Sequence, residues 1–155
     1  MPETTLRRWQ LPAYGRAHLE QVRAPLPAPG PGQILVRVGA VALNYRDLLM
    51  TEDGMGMPLA LPFAPGSDMA GTVEAVGDGV RRFVPGERVI NTFWNGWIDH
   101  HWPPHAVPAG GPGPGMLASH VLIDAEAAVA APASLSLAEA STPVSYTHLT
   151  LPTKA

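Results

Sequence analysis

Two short polar groups, each at one end of an apolar segment, are the first candidates for chemistry. Asn44-Tyr45-Arg46-Asp47 sits where "ILVRVGAVAL" ends, and Ser67-Asp68 sits where "SDMAGTVEAVG" begins. Amide, guanidinium and carboxyl groups at strand ends can reach a cleft and orient a substrate, but they can equally cap turns. On residue types alone, capping is the simpler role. A third group, Asp99-His100-His101 with His105, offers the imidazole and carboxylate donors that take Zn²⁺ or Ni²⁺. Its spacing fits no standard site, and Pro103-Pro104 favour an extended loop, so no metal is expected there. Phe93, Trp94, Trp97 and Trp102 crowd the same stretch. Aromatics in long loops either pin the loop to the body or line an apolar pocket, and pinning is the expected role.

Other chemistries are excluded by what the chain lacks. With no cysteine among 155 residues there are no disulfides, no thiolate ligands and no cysteine nucleophile. Gly77-Asp78-Gly79 has Arg82 where a third glycine would complete a dinucleotide fingerprint, and "GGPGPG" puts prolines where helix-opening N–H donors are needed. Both read as turns. A net charge of −3, with no basic run beyond Arg7-Arg8 and Arg81-Arg82, gives no footprint for nucleic acid. No apolar run approaches the roughly 18–20 residues of a membrane span, and no apolar segment follows the first arginine pair as an export signal requires. No nucleic-acid or membrane partner is expected, and the expected location is cytoplasmic.

The elements that must position these residues are short. With 16 glycines and 18 prolines, the composition suits short strands and many turns, and the fold class expected is mainly β (α+β) in one domain. "TTLRRW" and "AHLEQV" flank the turn-like "PAYG" as an opening hairpin. "ILVRVGAVAL" is the strongest strand, apolar enough for burial on both faces and for the centre of the core. "NYRDLLM" reads as a short helical turn and "TEDGMGMPLALPFAPG" as a long loop. "SDMAGTVEAVG" is a further strand in which Gly71 marks a bulge or a close approach. Turns at Asp78-Gly79 and Pro85-Gly86 lead to a strand restart at Arg88-Val89-Ile90. Residues 91–115 show no periodicity. "MLASHVLIDAEAAVAAP" returns to β-alternation. Ser136 and Glu139 form a capping box, which predicts a helix running well past Ala140.

Three ordered motifs, "PGPGQILVRVGAVALNYRDLL", "PGSDMAGTVEAVGDGVRRFVPGERV" and "GMLASHVLID", resemble the N-terminal GroES-like domain of the medium-chain dehydrogenase/reductase family, which includes zinc-type alcohol dehydrogenases and quinone oxidoreductases. The resemblance covers most of residues 1–143. It implies a partly open β-barrel with short helices, followed in complete members by a Rossmann domain that binds NAD or NADP and lies outside these 155 residues. Zinc-using members carry a cysteine where this chain has Asn44 and a His-Glu pair at Ser67-Asp68, so the resemblance implies the zinc-independent subgroup. Their four structural-zinc cysteines would fall near residues 91–115, which hold none.

Carried over by position, Asn44, Tyr45 and Arg46 face the nicotinamide, and Asn44, Tyr45 and Asp47 form the catalytic side of the cleft. Asp47 holds its turn. Arg46 replaces the Ser or Thr that relays a proton in alcohol-oxidising members. Met55 and Met57 fill a position often held by tyrosine, and with Ser67, Asp68 and Trp94 they make up the expected substrate pocket. The function implied is hydride transfer between a nicotinamide and a carbonyl, alcohol, enone or quinone. The partner is a small molecule, with a homodimer expected at full length and negligible activity from this piece alone. The alternative is a stand-alone barrel acting as a binding or assembly module, and a third reading is a metal enzyme built on the loop histidines.

The last residues break the pattern. Residues 1–143 carry nine arginines and no lysine, whereas Lys154 ends a stretch of quite different composition. "VSYTHLTLPT" is what one reading frame of a common sequencing adapter encodes, so residues 144–155 are expected to be non-native and without a role. The expected division is a GroES-like domain over 1–135, the start of a connecting helix over 136–143, and this tail.

Overall fold

The computed structural model describes residues 4–57, 59–97, 99–101 and 103–146. The chain opens with a hairpin, as expected. β1 (Thr5–Gln10) pairs antiparallel with β2 (Glu20–Pro25), joined through a single 3-10 turn at Arg16–His18. β3 (Gln33–Ala42) follows the Pro/Gly break and leads into α1 (Tyr45–Asp53). α1 is longer than the turn expected from "NYRDLLM", because it takes up Thr51-Glu52-Asp53 before Gly54 stops it. Gly54 has φ 70°, the left-handed conformation in which a side chain would be strained.

Next come β4 (Asp68–Val76) and β5 (Arg88–Asn91), then two short paired segments, β6 (Trp94–Asn95) and β7 (Val107–Pro108). β8 (His120–Asp124), β9 (Ala128–Ala130), α2 (Leu137–Ala140) and α3 (Pro143–Tyr146) complete the described chain. The main sheet runs β8-β3-β4-β5-β9, every pairing antiparallel, and it does not close into a barrel. The turns predicted at Gly79 and Gly86 lie where expected, between β4 and β5. No described helix is long and apolar enough to cross a membrane.

The core lies against this sheet. Ile34, Val36, Met69, Val73, Val89, Met116, Val121 and Ile123 are buried in one cluster, each contributing about 1.5–3 kcal/mol of transfer free energy. β3 is central, paired on both sides, but burial on both faces holds only for Ile34-Leu35-Val36. Arg37 and Gly39 are exposed, so the second half of the strand is more open than its apolar run suggests. Register shifts on β3 and β4 explain part of this, since the step from Val38 to Ala40 leaves Gly39 without a cross-strand partner. Leu137 of α2 packs over Gly39. At Gly71 a Cβ would come within 2.5 Å of the Arg37 carbonyl oxygen, so the glycine is required by close approach.

The C-terminal helix is shorter than its cap predicts. Ser136 accepts from the Glu139 N–H, and the Glu139 carboxylate accepts back from Ser136, yet α2 ends at Ala140. Pro143 disfavours helical backbone at Thr142 and starts the separate turn α3. The Lys154 end lies outside the described residues.

Candidate active-site cleft

Antiparallel pairing brings the two polar groups together. Ala42 at the end of β3 faces Asp68 at the start of β4, and β5 lies beside β4 with Asn91 at its end. Three strand termini therefore converge. A capping box links Asn44 and Asp47 at the start of α1, with the Asn44 N–H donating to Asp47 Oδ2 at 2.8 Å. Asn44 Nδ2 donates to Asp68 Oδ2 at 2.9 Å, and Ser67 Oγ donates to Asp47 Oδ1 at 2.9 Å. Asn91 locks the floor: its Oδ1 accepts from the Met69 N–H at 2.7 Å and its Nδ2 donates to the Ser67 carbonyl at 2.8 Å. Ser67, Asp68 and Asn91 are each at most 1% exposed, and Asp47 is 6% exposed.

Arg46 ties this floor to the long loop. Its Nη1 donates to Ser67 Oγ at 3.2 Å and to the Ala109 carbonyl at 3.0 Å, and its Nη2 donates to the Gly111 carbonyl at 2.6 Å. The guanidinium also lies over the Phe93 ring, 5.1 Å from its centroid. Partial burial pulls the Arg46 pKa down, against the carboxylates of Asp47 and Asp68, which pull it up. For Asp68 burial is the largest influence and raises its pKa, with the Asp47 charge adding to the rise. The contacts of Ser145 and Asn44 oppose it. Asp68 Oδ1 is buried without a hydrogen-bond partner among the described residues.

Beside this network lies an open cavity of about 530 Å³, lined by Asn44, Arg46, Phe93, Trp94, Trp97, Val144 and Ser145. Its volume is in the range of small-molecule sites. Phe93 and Trp94 meet edge to face with centroids 5.3 Å apart, and Trp94 and Trp97 at 6.2 Å. These aromatics form a cavity wall, the second of the two roles open to them on residue types, and the wall includes Trp94 of the expected pocket; Trp102 lies outside the described residues. Val144 and Ser145 belong to the stretch expected to be foreign, so no role is assigned to them.

The structure thus joins Asn44, Arg46, Asp47, Ser67, Asp68 and Trp94 in one place. It does not bring Tyr45, Met55 or Met57 to the cavity wall. Tyr45 is 75% exposed at the start of α1, and Met55 is half-exposed in a 3-10 turn after it. Residue types had not singled out Asn91, although an asparagine closing the strand "RVIN" is a polar group at a strand end like the others. In the loop, Asp99, His100 and His101 lie within 4.8 Å of one another, all exposed, and His105 is not in that group. His105 sits instead against Gly96.

A family model described as the alcohol dehydrogenase GroES-like domain matches residues 30–133. A zinc-type alcohol dehydrogenase-like protein of Schizosaccharomyces pombe is 39% identical over 114 residues, 72% of this chain and 33% of that protein. A chloroplastic quinone oxidoreductase of Triphysaria versicolor is 37% identical over 90 residues, 55% of this chain and 27% of that protein. Among solved structures, a putative alcohol dehydrogenase from Sinorhizobium meliloti superposes with a TM-score of 0.86 at 45% identity, covering 92% of this chain and 43% of that one. An NAD-dependent alcohol dehydrogenase superposes with a TM-score of 0.80 at 30% identity, covering 88% and 42%. The chain spans a third or less of these curated relatives and less than half of the structures. It belongs to the alcohol dehydrogenase GroES-like domain family.

Proposed function

We propose that residues 1–143 are the substrate-pocket half of an NAD(P)-dependent oxidoreductase that transfers hydride between the nicotinamide and a carbonyl, alcohol or enone without a catalytic zinc. The observation that carries this reading is the bonded network Asn44–Asp68, Arg46–Ser67–Asp47 at the edge of an aromatic-walled cavity. Zinc is suggested by the name of one relative. The donors in this cleft do not suit it: an amide, a hydroxyl, the Asp47 carboxylate bonded through both oxygens and the Asp68 carboxylate bonded through one, with a guanidinium 3.2 Å from the hydroxyl. A fixed cation among the would-be ligands opposes a divalent ion, and the chain has no thiolate to offer.

The residues do suit a nicotinamide, for which Asn44 and Arg46 offer polar contacts and Phe93, Trp94 and Trp97 an apolar wall. When bound, that group supplies or accepts the hydride. Asn44 is held in one orientation by Asp68 and by the helix cap, so its amide meets a ligand without an ordering cost. The aromatic wall offers an apolar surface beside the reacting face, and Arg46 fixes that wall to the network.

The test is NAD(P)H oxidation by the full-length enzyme carrying residues 1–143, across a panel of enones, quinones and aldehydes. Turnover with at least one class is expected. No cofactor-dependent turnover with any of them would contradict the reading.

A further inference from the structure

We propose that Asp99, His100 and His101 form a binding site for Zn²⁺ and its late first-row neighbours, apart from the cleft. Spacing alone predicts an extended loop, where successive side chains point to opposite sides and His100 and His101 part. The structure bends the chain at residues 99–101 instead. Asp99 Oδ1 accepts from the His101 N–H at 2.8 Å, which turns the carboxylate back over the bend, and His101 Nδ1 lies 3.7 Å from the same oxygen. The two imidazoles share one side, with ring centroids 3.8 Å apart and planes 43° from each other. One ligand atom from each of the three residues lies within 4.8 Å of the other two. Ligand atoms around a tetrahedral Zn²⁺ stand roughly 3.4 Å apart, so small rotations of exposed side chains close the set.

Two imidazoles and one carboxylate suit Zn²⁺, Ni²⁺ and Cu²⁺, whereas Mg²⁺ and Ca²⁺ require several oxygens. The group differs from the cleft in the feature that opposes a metal there. In the cleft a guanidinium stands among the polar side chains. At the bend no arginine or lysine bonds to Asp99 among the described residues, and its partner is His101, itself a member of the group. All three residues are exposed, so an ion reaches them without any opening of the fold. Three protein ligands leave the remaining coordination positions to water. None of the three lines the aromatic-walled cavity, so this ion takes no part in hydride transfer. Its effect is on the loop. β6 and β7 pair at Asn95 and Val107, and Trp97, two residues before Asp99, belongs to the cavity wall. A bound ion ties down the tip of the loop whose base carries part of that wall.

Calorimetric titration of the chelator-stripped, tag-free 155-residue chain with ZnCl₂ tests the site directly. Saturable binding of one equivalent is expected, with hydrogen exchange slowed at residues 99–101. Cu²⁺ should bind more tightly than Zn²⁺, and Mg²⁺ should not saturate the chain. Loss of an outer partner of a metal ligand already weakens binding by roughly 10–100-fold, so Asp99→Asn, His100→Ala and His101→Ala should each weaken Zn²⁺ at least roughly tenfold. The double variant His100→Ala with His101→Ala should abolish saturation. His18→Ala, on the opening hairpin, should leave binding unchanged, and thermal unfolding of each variant checks that the fold persists. No saturable Zn²⁺ binding, binding that survives in the double variant, or binding to Asp99→Asn as tight as to the parent chain would each overturn the proposal.

Discussion

The main sheet and the 91–115 loop are held in place by different means. In the sheet, β3 is laddered to β4 and β8, and Ile34 and Val36 are sealed in the core. In the loop the only ladder among the described residues is the two-residue pairing of β6 with β7, and one side chain, Arg46, grips the carbonyls of Ala109, Gly110 and Gly111. The sheet owes its shape to many small apolar terms, and the loop owes its shape to a few strong polar ones. Substitutions should therefore act globally in the sheet and locally at Arg46.

The largest effect is expected in the sheet. Ile34→Ala empties a fully buried site and should cost about 2–5 kcal/mol of global stability by denaturant unfolding, with every amide losing protection together. Arg46→Met removes the charged donors and should cost less, about 2 kcal/mol. Its signature is local, with hydrogen exchange rising around residues 109–113 and at Phe93 before the sheet responds. Uniform loss of protection in Arg46→Met would erase the contrast.

Asp68 sharpens the contrast through pH. Its folded pKa lies above the ordinary value of 3.8, so the folded state binds the proton more tightly than the unfolded one does. The sign follows: its contribution favours folding at low pH and is lost as pH rises from 3.8 through the raised folded value. Asp68→Asn should flatten that part of the stability curve and raise stability at neutral pH, read by thermal unfolding at several pH values. A steeper loss of stability with rising pH in Asp68→Asn would mean the opposite sign. Smallest of all, Glu126→Gln breaks an ion pair with Arg82 in which both side chains are substantially exposed, and should shift stability by less than about 1 kcal/mol.

The sheet was legible in sequence because apolar alternation and Gly/Pro punctuation are local signals. β1, β4 and β5 lie where those signals place them, whereas β2 starts at Glu20, three residues after the segment read for it, because Arg16–His18 form a 3-10 turn. The candidate site was legible only as separate polar clusters at strand ends. Whether Asn44 meets Asp68 depends on the pairing of Ala42 with Asp68, which no local signal announces. Arg46 was legible as a residue in the cleft, yet its reach across 63 positions to the Ala109 carbonyl is a property of the folded loop. The helix after Ser136 failed for a local reason: its cap was read correctly, but Pro143 stops it. Met55 and Met57 were placed by family position, whereas the turn after α1 carries them off the cavity wall.

The central claim is that a bonded polar network, with no metal ion, organises this cleft for hydride transfer. The most direct measurement is NAD(P)H oxidation by the full-length enzyme before and after exhaustive chelation, with metal content measured on the same samples. Turnover that persists unchanged in metal-free enzyme is the predicted result. Turnover that disappears on chelation and returns with one equivalent of Zn²⁺ would contradict it.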